Sequence, residues 1–432
     1  MNRRGLLLAI GLTLAVIAVA AVALVSRKAW QAREAWSPAS PVLPFPSRLP
    51  SQSPTQDHPL PPAARESAPP VYPLATTRSP TPGASPPQER LYFPSISSAH
   101  PTATSVPVAL ATPRPKPTPT PTLPWPAPLA APGRSKLGIH VQWNCSHDIM
   151  EFIRLMKPIL VKSAGDLGFL AETKEASPST VTMARFTGHE QRQAGDPIQA
   201  ARAFVNAHLE EYLKHPAVDY WEGYNEPDVR GRMAWYAAFE VERVRLMAQH
   251  GLRAAVGGFS TGVPEWEDFE AFLPAIEAVR EHGGILTLHE YDAPVMDRSV
   301  GAGLPGRPGS PDRGALALRY RWWYEDFLKP RGLVVPLVIS EAGIDGGIPN
   351  RPGPAGKGWQ DFVGYWSEVG LGDDGIQTYL QQLAWYDEQL RQDDYVIGFA
   401  VFTAGAMNDD WRSFDITSIL RHIATYILVP AA

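Results

Sequence analysis

From about Lys136 onward, short apolar runs ending in polar or glycine-rich tips alternate with longer amphipathic stretches. The short runs predict strands at 137–144, 158–165, 181–188, 220–227, 253–260, 285–292, 336–343 and 396–403. Helical spacing fills gaps between them. It runs over 197–215, with Asp196 as N-cap and Pro197 in the first turn, and over 232–250, stopped by Gly251. It continues over 269–282, 314–328 and 376–391. Eight alternations in about 295 residues predict an α/β chain closed into a (β/α)8 barrel, in preference to an open doubly wound sheet.

Side chains alternate along a strand, so each run sorts into an outer and an inner set. In the first, Leu137, Ile139 and Val141 face out, leaving His140, Gln142 and Asn144 inward. Lys162 points in from the second strand, with Ile159 and Val161 outward, and Arg185 points in from the third. The fourth places Glu222, Tyr224 and Glu226 on one parity, and the sixth places Thr287, His289 and Tyr291 inward. Glu341 ends the seventh. A barrel centre is normally filled by branched apolar side chains, and buried charge is costly unless paired. Lys162, Arg185 and Glu222 are therefore expected to neutralise one another below the rim. Glu226, His289, Tyr291 and Glu341 fall at the strand tips, where barrel enzymes keep their chemistry.

The residues before the barrel have another character. Of the 45 prolines, 28 lie between Pro38 and Pro132, among many Ser, Thr and Ala. Such a stretch buries too little surface to fold, and residues 36–133 are expected to be a disordered, polyproline-rich spacer. Residues 5–25 carry no charge and are long enough to cross a bilayer. They exceed a usual secretory apolar region, which favours a retained anchor within 1–35 over a cleaved signal. A membrane-anchored barrel (134–432) held outside the cytoplasm on a stalk is the expected arrangement; cleavage at Ala21–Ala23 would give a secreted protein. Residues 1–133 carry 11 basic and 4 acidic side chains, which leaves 28 and 40 for the remainder, a balance of −12. An acidic barrel argues against nucleic acid as partner. The one cysteine, Cys145, permits no internal disulfide and reads as a small buried filler.

Two carboxyl groups facing across a cleft suit glycosidic bond cleavage, where one protonates the leaving oxygen and the other attacks or activates water. Glu226 and Glu341 are the glutamates placed to do so. Here the chain resembles a known group. WEGYNEPD (221–228) is similar to the strand-4 motif of the retaining TIM-barrel glycoside hydrolases of clan A, among them the xylosidase/iduronidase-like and cellulase-like relatives. VISEAG (338–343) resembles their strand-7 nucleophile segment, and HEYD (289–292) their strand-6 tip. The resemblance implies Glu226 as acid/base, Glu341 as nucleophile, Asn225 on a sugar hydroxyl, Tyr291 orienting Glu341, and His289 binding substrate or tuning the pair. It implies a carboxyl separation of roughly 5 Å. Arg185 would keep Glu341 ionised, and an apolar wall near Tyr224 would raise Glu226. The tryptophan usual at the strand-8 tip is missing, so Phe402 or Trp411 would substitute; Lys162 or Arg185 would stand in for the group's arginine.

The segment after strand 7 (344–366) is rich in Gly, Pro and aromatics. Trp359, Tyr365 and Trp366 either stack on sugar faces or pack the loop down. Gln142 joins the supporting set. His208, Glu211 and His215 share a helix face that reads as solvated rather than metal-binding, and Asn408–Asp410 reads as a turn. No zinc, haem or nucleotide pattern is present, so no cofactor or metal is expected. The partner expected is an oligo- or polysaccharide. The alternatives are a non-catalytic glycan-binding or surface scaffold protein and, more weakly, a lyase or transglycosylase using the same pair.

Overall fold

A computed structural model describes residues 123–129 and 133–428. These belong to one unit, Thr120–Ala432. The proposed anchor at 5–25 and nearly all of the proposed spacer lie outside the described residues. Among the described residues, no helix is long and apolar enough to cross a membrane.

Eight parallel strands close in sequence order into a barrel. They are β1 (Leu137–Val141), β2 (Leu160–Ala164), β3 (Val181–Arg185), β4 (Tyr220–Glu222), β5 (Ala254–Phe259), β6 (Ile285–Asp292), β7 (Leu337–Ile344) and β8 (Val396–Ala404). Between them run α1 (His147–Met156), α2 (Leu170–Ala176), α3 (Pro197–Lys214), α4 (Met233–Gln249) and α5 (Phe269–His282). Then come α6 (Tyr320–Trp323), α7 (Trp359–Glu368), α8 (Gly375–Leu390) and α9 (Leu420–Leu428). Asp196 caps α3 by accepting the Gln199 N–H at 2.9 Å, and Pro197 opens the helix as the sequence predicts.

Strand alternation sorts the core into two parts. Leu137, Ile139, Val141, Val161, Leu286 and Leu288 face the helices in the main apolar core. Leu160, Met183, Ala255, Ile285, Val338 and Ala400 form a separate apolar layer, with Ile159 packed against it. It is built from the opposite strand faces, so it fills the barrel centre and seals the end away from the strand tips. The polar layer lies further along the same strands: Lys162 follows Leu160, Arg185 follows Met183, and Glu222 follows Tyr220, each by two residues. Ile159, read as outward, thus belongs to the inner layer; it precedes β2 and escapes the alternation.

Two departures have local causes. The stretch 314–328 was expected to be helical throughout, yet helix begins only at Tyr320 and continues as a π-helical turn over Tyr324–Leu328. The buried Glu290 carboxylate takes the Leu318 and Tyr320 N–H groups at 2.7 and 2.9 Å, so the preceding chain wraps around it. Residues 123–129, inside the stretch read as spacer, lie against the barrel. Leu129 N–H donates to the Leu155 carbonyl at 2.8 Å, and Arg421 donates to the Leu123 carbonyl while covering the Trp125 ring.

Candidate active site

Lys162 stands at the centre of the polar layer, fully buried. Its Nζ is 2.8 Å from Glu222 Oε2 and 3.0 Å from Glu341 Oε1. Arg185 lies within ion-pair range of the same two carboxylates, at 3.9 and 3.8 Å. Burial works to raise the Glu222 carboxyl, but Lys162, His289 and Arg185 outweigh it and hold it at about 2. The expected neutralisation of Lys162, Arg185 and Glu222 is thus present, and Glu341 shares it. Burial likewise opposes ionisation of Glu341, yet His289 and Lys162 foremost keep it well below the usual carboxylate range. Glu341 is an anion at neutral pH.

The aim of Glu341 depends on the backbone. Leu337, Ile339, Ala342 and Ile344 all pack toward the helices. Simple alternation from Leu337 and Ile339 would send Glu341 the same way. The β6–β7 register slips by one residue, pairing Leu288 with Ile339 and then His289 with Glu341. Ser340 is the extra residue of this bulge, which turns Glu341 inward. Tyr291 donates its phenol hydrogen to Glu341 Oε2 at 3.0 Å. Burial and the neighbouring anion push the Tyr291 hydroxyl well above its ordinary value, so it stays protonated. His140 Nε2 approaches Glu341 Oε1 at 3.6 Å, while Nδ1 meets the Thr403 hydroxyl at 2.8 Å. Complete burial lowers His140 to about 3 and leaves it neutral.

Glu226 reaches the mouth by another route. β4 ends at Glu222, and the chain then leaves strict alternation. Tyr224 therefore does not share the inward face with Glu222. Its ring packs outside the barrel, against Phe204, Tyr236 and Phe239. The apolar wall expected near Glu226 is not built by Tyr224. Glu226 adopts a left-handed conformation (φ 47°), and its N–H donates to the Gly258 carbonyl at 2.8 Å. Gly258 also has positive φ (56°), and a Cβ there would stand 2.7 Å from the Tyr224 carbonyl oxygen. The side chain of Glu226 is 38% exposed and that of Glu341 is 8% exposed. Between them lies His289, whose Nδ1 is 2.8 Å from Glu226 Oε1 and 3.5 Å from Glu341 Oε2.

Glu226, His289 and Glu341 each bring one ligand atom within 4.8 Å of the others. Three such groups could hold a divalent cation. Here that ion would have to settle beside Lys162 and Arg185, whose charges already neutralise Glu341. The same closeness brings two carboxylates together at the mouth.

The remaining residues named from sequence are divided. Asn225 lies beside Glu226 at the mouth, its backbone held by both ends of the Gln191 amide. Its side-chain Oδ1 is shielded from solvent and has no hydrogen-bond partner among the described residues. Gln142 ties the tips of β1 and β8, its Oε1 accepting the Met407 N–H at 3.1 Å. Trp359 is 4% exposed and stacks on Tyr379, 5.1 Å between centroids. It packs the wall between α7 and α8 and offers no face to a ligand. Trp366 is buried too, its indole N–H donating to the Pro294 carbonyl. Of the two uses open to these rings, packing is the one found. Cys145, expected to be buried, is exposed because it lies in the loop that leaves β1. Phe402 stands at the β8 tip, 6.2 Å from Tyr291 and 4.9 Å from His140 between ring centroids. His140 and Thr403 also line this centre; the parity of β1 marked His140, and nothing in the β8 run marked Thr403.

No protein-family model matches this chain. No curated protein matches it by sequence. Among solved structures it is similar to a family 39 glycoside hydrolase from the gut symbiont Bacteroides cellulosilyticus, at 12% identity and a TM-score of 0.44. That match covers 68% of this chain and 64% of the other, so the chain spans under two thirds of its length. It is also similar to a family 128 endo-β-1,3-glucanase from Pseudomonas viridiflava: 16% identity, TM-score 0.36, coverage 69% and 98%. A hyperthermostable endo-1,4-β-D-mannanase from Thermotoga petrophila matches at 14% identity and TM-score 0.34, over 68% and 99% of the two chains.

Proposed function

We propose that the chain is a retaining glycoside hydrolase acting by double displacement, with Glu341 as nucleophile and Glu226 as acid/base. The observation that carries this reading is the approach of the two carboxylates, whose nearest oxygens lie within 4.8 Å. Retaining enzymes hold the pair about 5–5.5 Å apart, whereas inverting enzymes need ~6.5–9.5 Å to admit a water. The unequal settings of the pair also support it. Glu341 is buried, ringed by cations and ionised, as a nucleophile must be. Glu226 reaches solvent at the mouth, where protons can be exchanged.

In the first step a Glu341 oxygen bonds to the anomeric carbon as the glycosidic C–O bond breaks. The departing oxygen takes the proton of Glu226. In the second step Glu226, now a carboxylate, removes a proton from water. The water oxygen bonds to the anomeric carbon, and Glu341 leaves as an anion. Tyr291 fixes the Oε2 of Glu341 and leaves Oε1, turned toward Lys162, to share the charge. His289 bridges the pair, and Asn225, next to Glu226 in the chain, would bind a sugar hydroxyl. On the same reading residues 5–25 tether the barrel to a membrane, on its extracytoplasmic side, and the substrate is an oligo- or polysaccharide rather than nucleic acid.

The test is a panel of aryl glycosides and polysaccharides with the parent, Glu226→Gln and Glu341→Gln. Loss of the acid/base should lower kcat by roughly 10²–10⁴-fold, least for substrates with good leaving groups. Proton NMR of the first product formed should show the anomeric configuration of the substrate. Undiminished turnover in Glu341→Gln, or an inverted product, would end the assignment. Glycan binding without turnover in the parent would favour the non-catalytic alternative.

A further inference from the structure

The rim between β1 and β8 carries an unusual set of exposed apolar side chains. Trp143 is 56% exposed, Met407 58% and Trp411 39%. The two loops that bear them are joined. Gln142 holds the Met407 N–H, and a Cβ on Gly405 would collide with the Trp143 carbonyl. Aromatic contacts continue from this rim to the reacting centre. Trp411 lies edge-on to Phe402 at 5.3 Å and to Phe414 at 5.7 Å, and Phe402 reaches Tyr291, the donor to Glu341. Trp411 belongs to an exposed run that includes Asn408, Asp409, Asp410 and Arg412. Alternating ring faces and hydrogen-bonding groups suit a sugar, whose C–H face stacks while its hydroxyls are bound. Two separated rings fall far short of the roughly 800 Å² per partner of a stable protein interface.

The position of this ledge fixes which end of a sugar chain it holds. In the closed ring of eight strands, β4 and β8 stand opposite each other. The departing oxygen must lie against Glu226, which follows β4. A chain crossing the mouth therefore places its departing part toward β4 and its retained part toward β8 and β1. Resting on the hydrolase reading above, we propose that Trp411 and Trp143 bind the sugar next to the cleaved residue on the retained side. The enzyme then cuts within neutral glycan chains and releases a glycone of at least two sugars. Neutral chains are favoured because Lys162 and Arg185 are already matched by Glu222 and Glu341, and Glu226 adds a further carboxylate.

The experiment uses the full chain carrying Glu341→Gln and the cello-, manno-, laminari- and xylo-oligosaccharide series, from disaccharide to hexasaccharide. Binding is read by calorimetry. Affinity should rise with chain length in at least one series. Adding Trp411→Ala or Trp143→Ala should lower hexasaccharide affinity about tenfold and leave disaccharides less affected. Trp143 is largely exposed, so its variant keeps the test open if Trp411→Ala fails to fold. With the parent enzyme, the first products from a polysaccharide should be no shorter than a disaccharide. Hexasaccharide affinity unchanged by either tryptophan substitution, early release of single sugars, or no binding in any series would overturn the proposal. Tryptophan-dependent binding together with full turnover in Glu341→Gln would keep the ledge and discard the catalytic assignment.

Discussion

Replacing Lys162 by methionine keeps most of the length of a fully buried side chain and removes its charge. Two carboxylates then lose a cation at 2.8 and 3.0 Å. At an effective dielectric of about 20, one unit pair at that range is worth roughly 5 kcal/mol. Arg185 remains, but farther from both carboxylates. Removing one partner of a buried ion pair commonly costs about 3–5 kcal/mol. In a domain of this size that is roughly a 10 °C fall in Tm at pH 7. The pH dependence gives the sharper check. Glu222 is held at about 2 and Glu341 well below normal, so both favour the folded state above their unfolded value of about 4.3. That contribution is lost only as pH falls through the depressed values. Without Lys162 the carboxyls take up protons at higher pH, so the gap between parent and variant should narrow from pH 7 toward pH 4. Adding Glu222→Gln to Lys162→Met should recover part of the loss, with a coupling of at least ~2 kcal/mol by denaturant unfolding. A variant within about 1 kcal/mol of the parent, with an unchanged pH profile, would refute the account of Lys162 as the shared counter-ion.

Two further predictions follow from the same strand tips. Tyr291→Phe removes the donor to Glu341 Oε2 and should lower kcat by about 10–100-fold at a stability cost near 1 kcal/mol; unchanged turnover would dissociate the phenol from the reaction. Glu290 is raised to about 7 by burial, so the stability it gives is complete below pH ~4 and fades as pH rises through 7. Glu290→Gln should lower Tm overall and flatten its decline between pH 5 and 8, and a slope equal to the parent's would show that Glu290 does not set it.

All eight strands were legible because apolar side chains must meet the helices on alternate positions, a constraint set by the backbone alone. The same logic placed Lys162, Glu222, His140 and His289 on the inner face. It failed where the backbone stops alternating. Tyr224 follows a three-residue strand and turns outward, and Glu341 turns inward only because Ser340 is looped out. Neither event leaves a mark in hydrophobic periodicity. The segment 314–319 failed for a different reason: the Leu316 and Ala317 N–H groups go to the Ser299 hydroxyl and that of Leu318 to Glu290, side chains distant in sequence. The ring of Trp359 was equally ambiguous in advance, since aromatics in a loop look alike whether they meet sugar or Tyr379.

The looped-out Ser340 gives the barrel a peculiar vulnerability. Deleting that one residue would leave all the acidic, basic and aromatic side chains of the mouth in the sequence, and the motif around Glu341 nearly intact. It would also remove the half-step that separates the inner face of the barrel from the face seen by α-helices. Glu341 would then be carried toward the apolar shell, Lys162 and Arg185 would lose one of the two carboxylates that match them, and Glu226 would stand at the mouth without its partner. The identity of the side chains is one half of this site; the other half is a count of backbone units along β7.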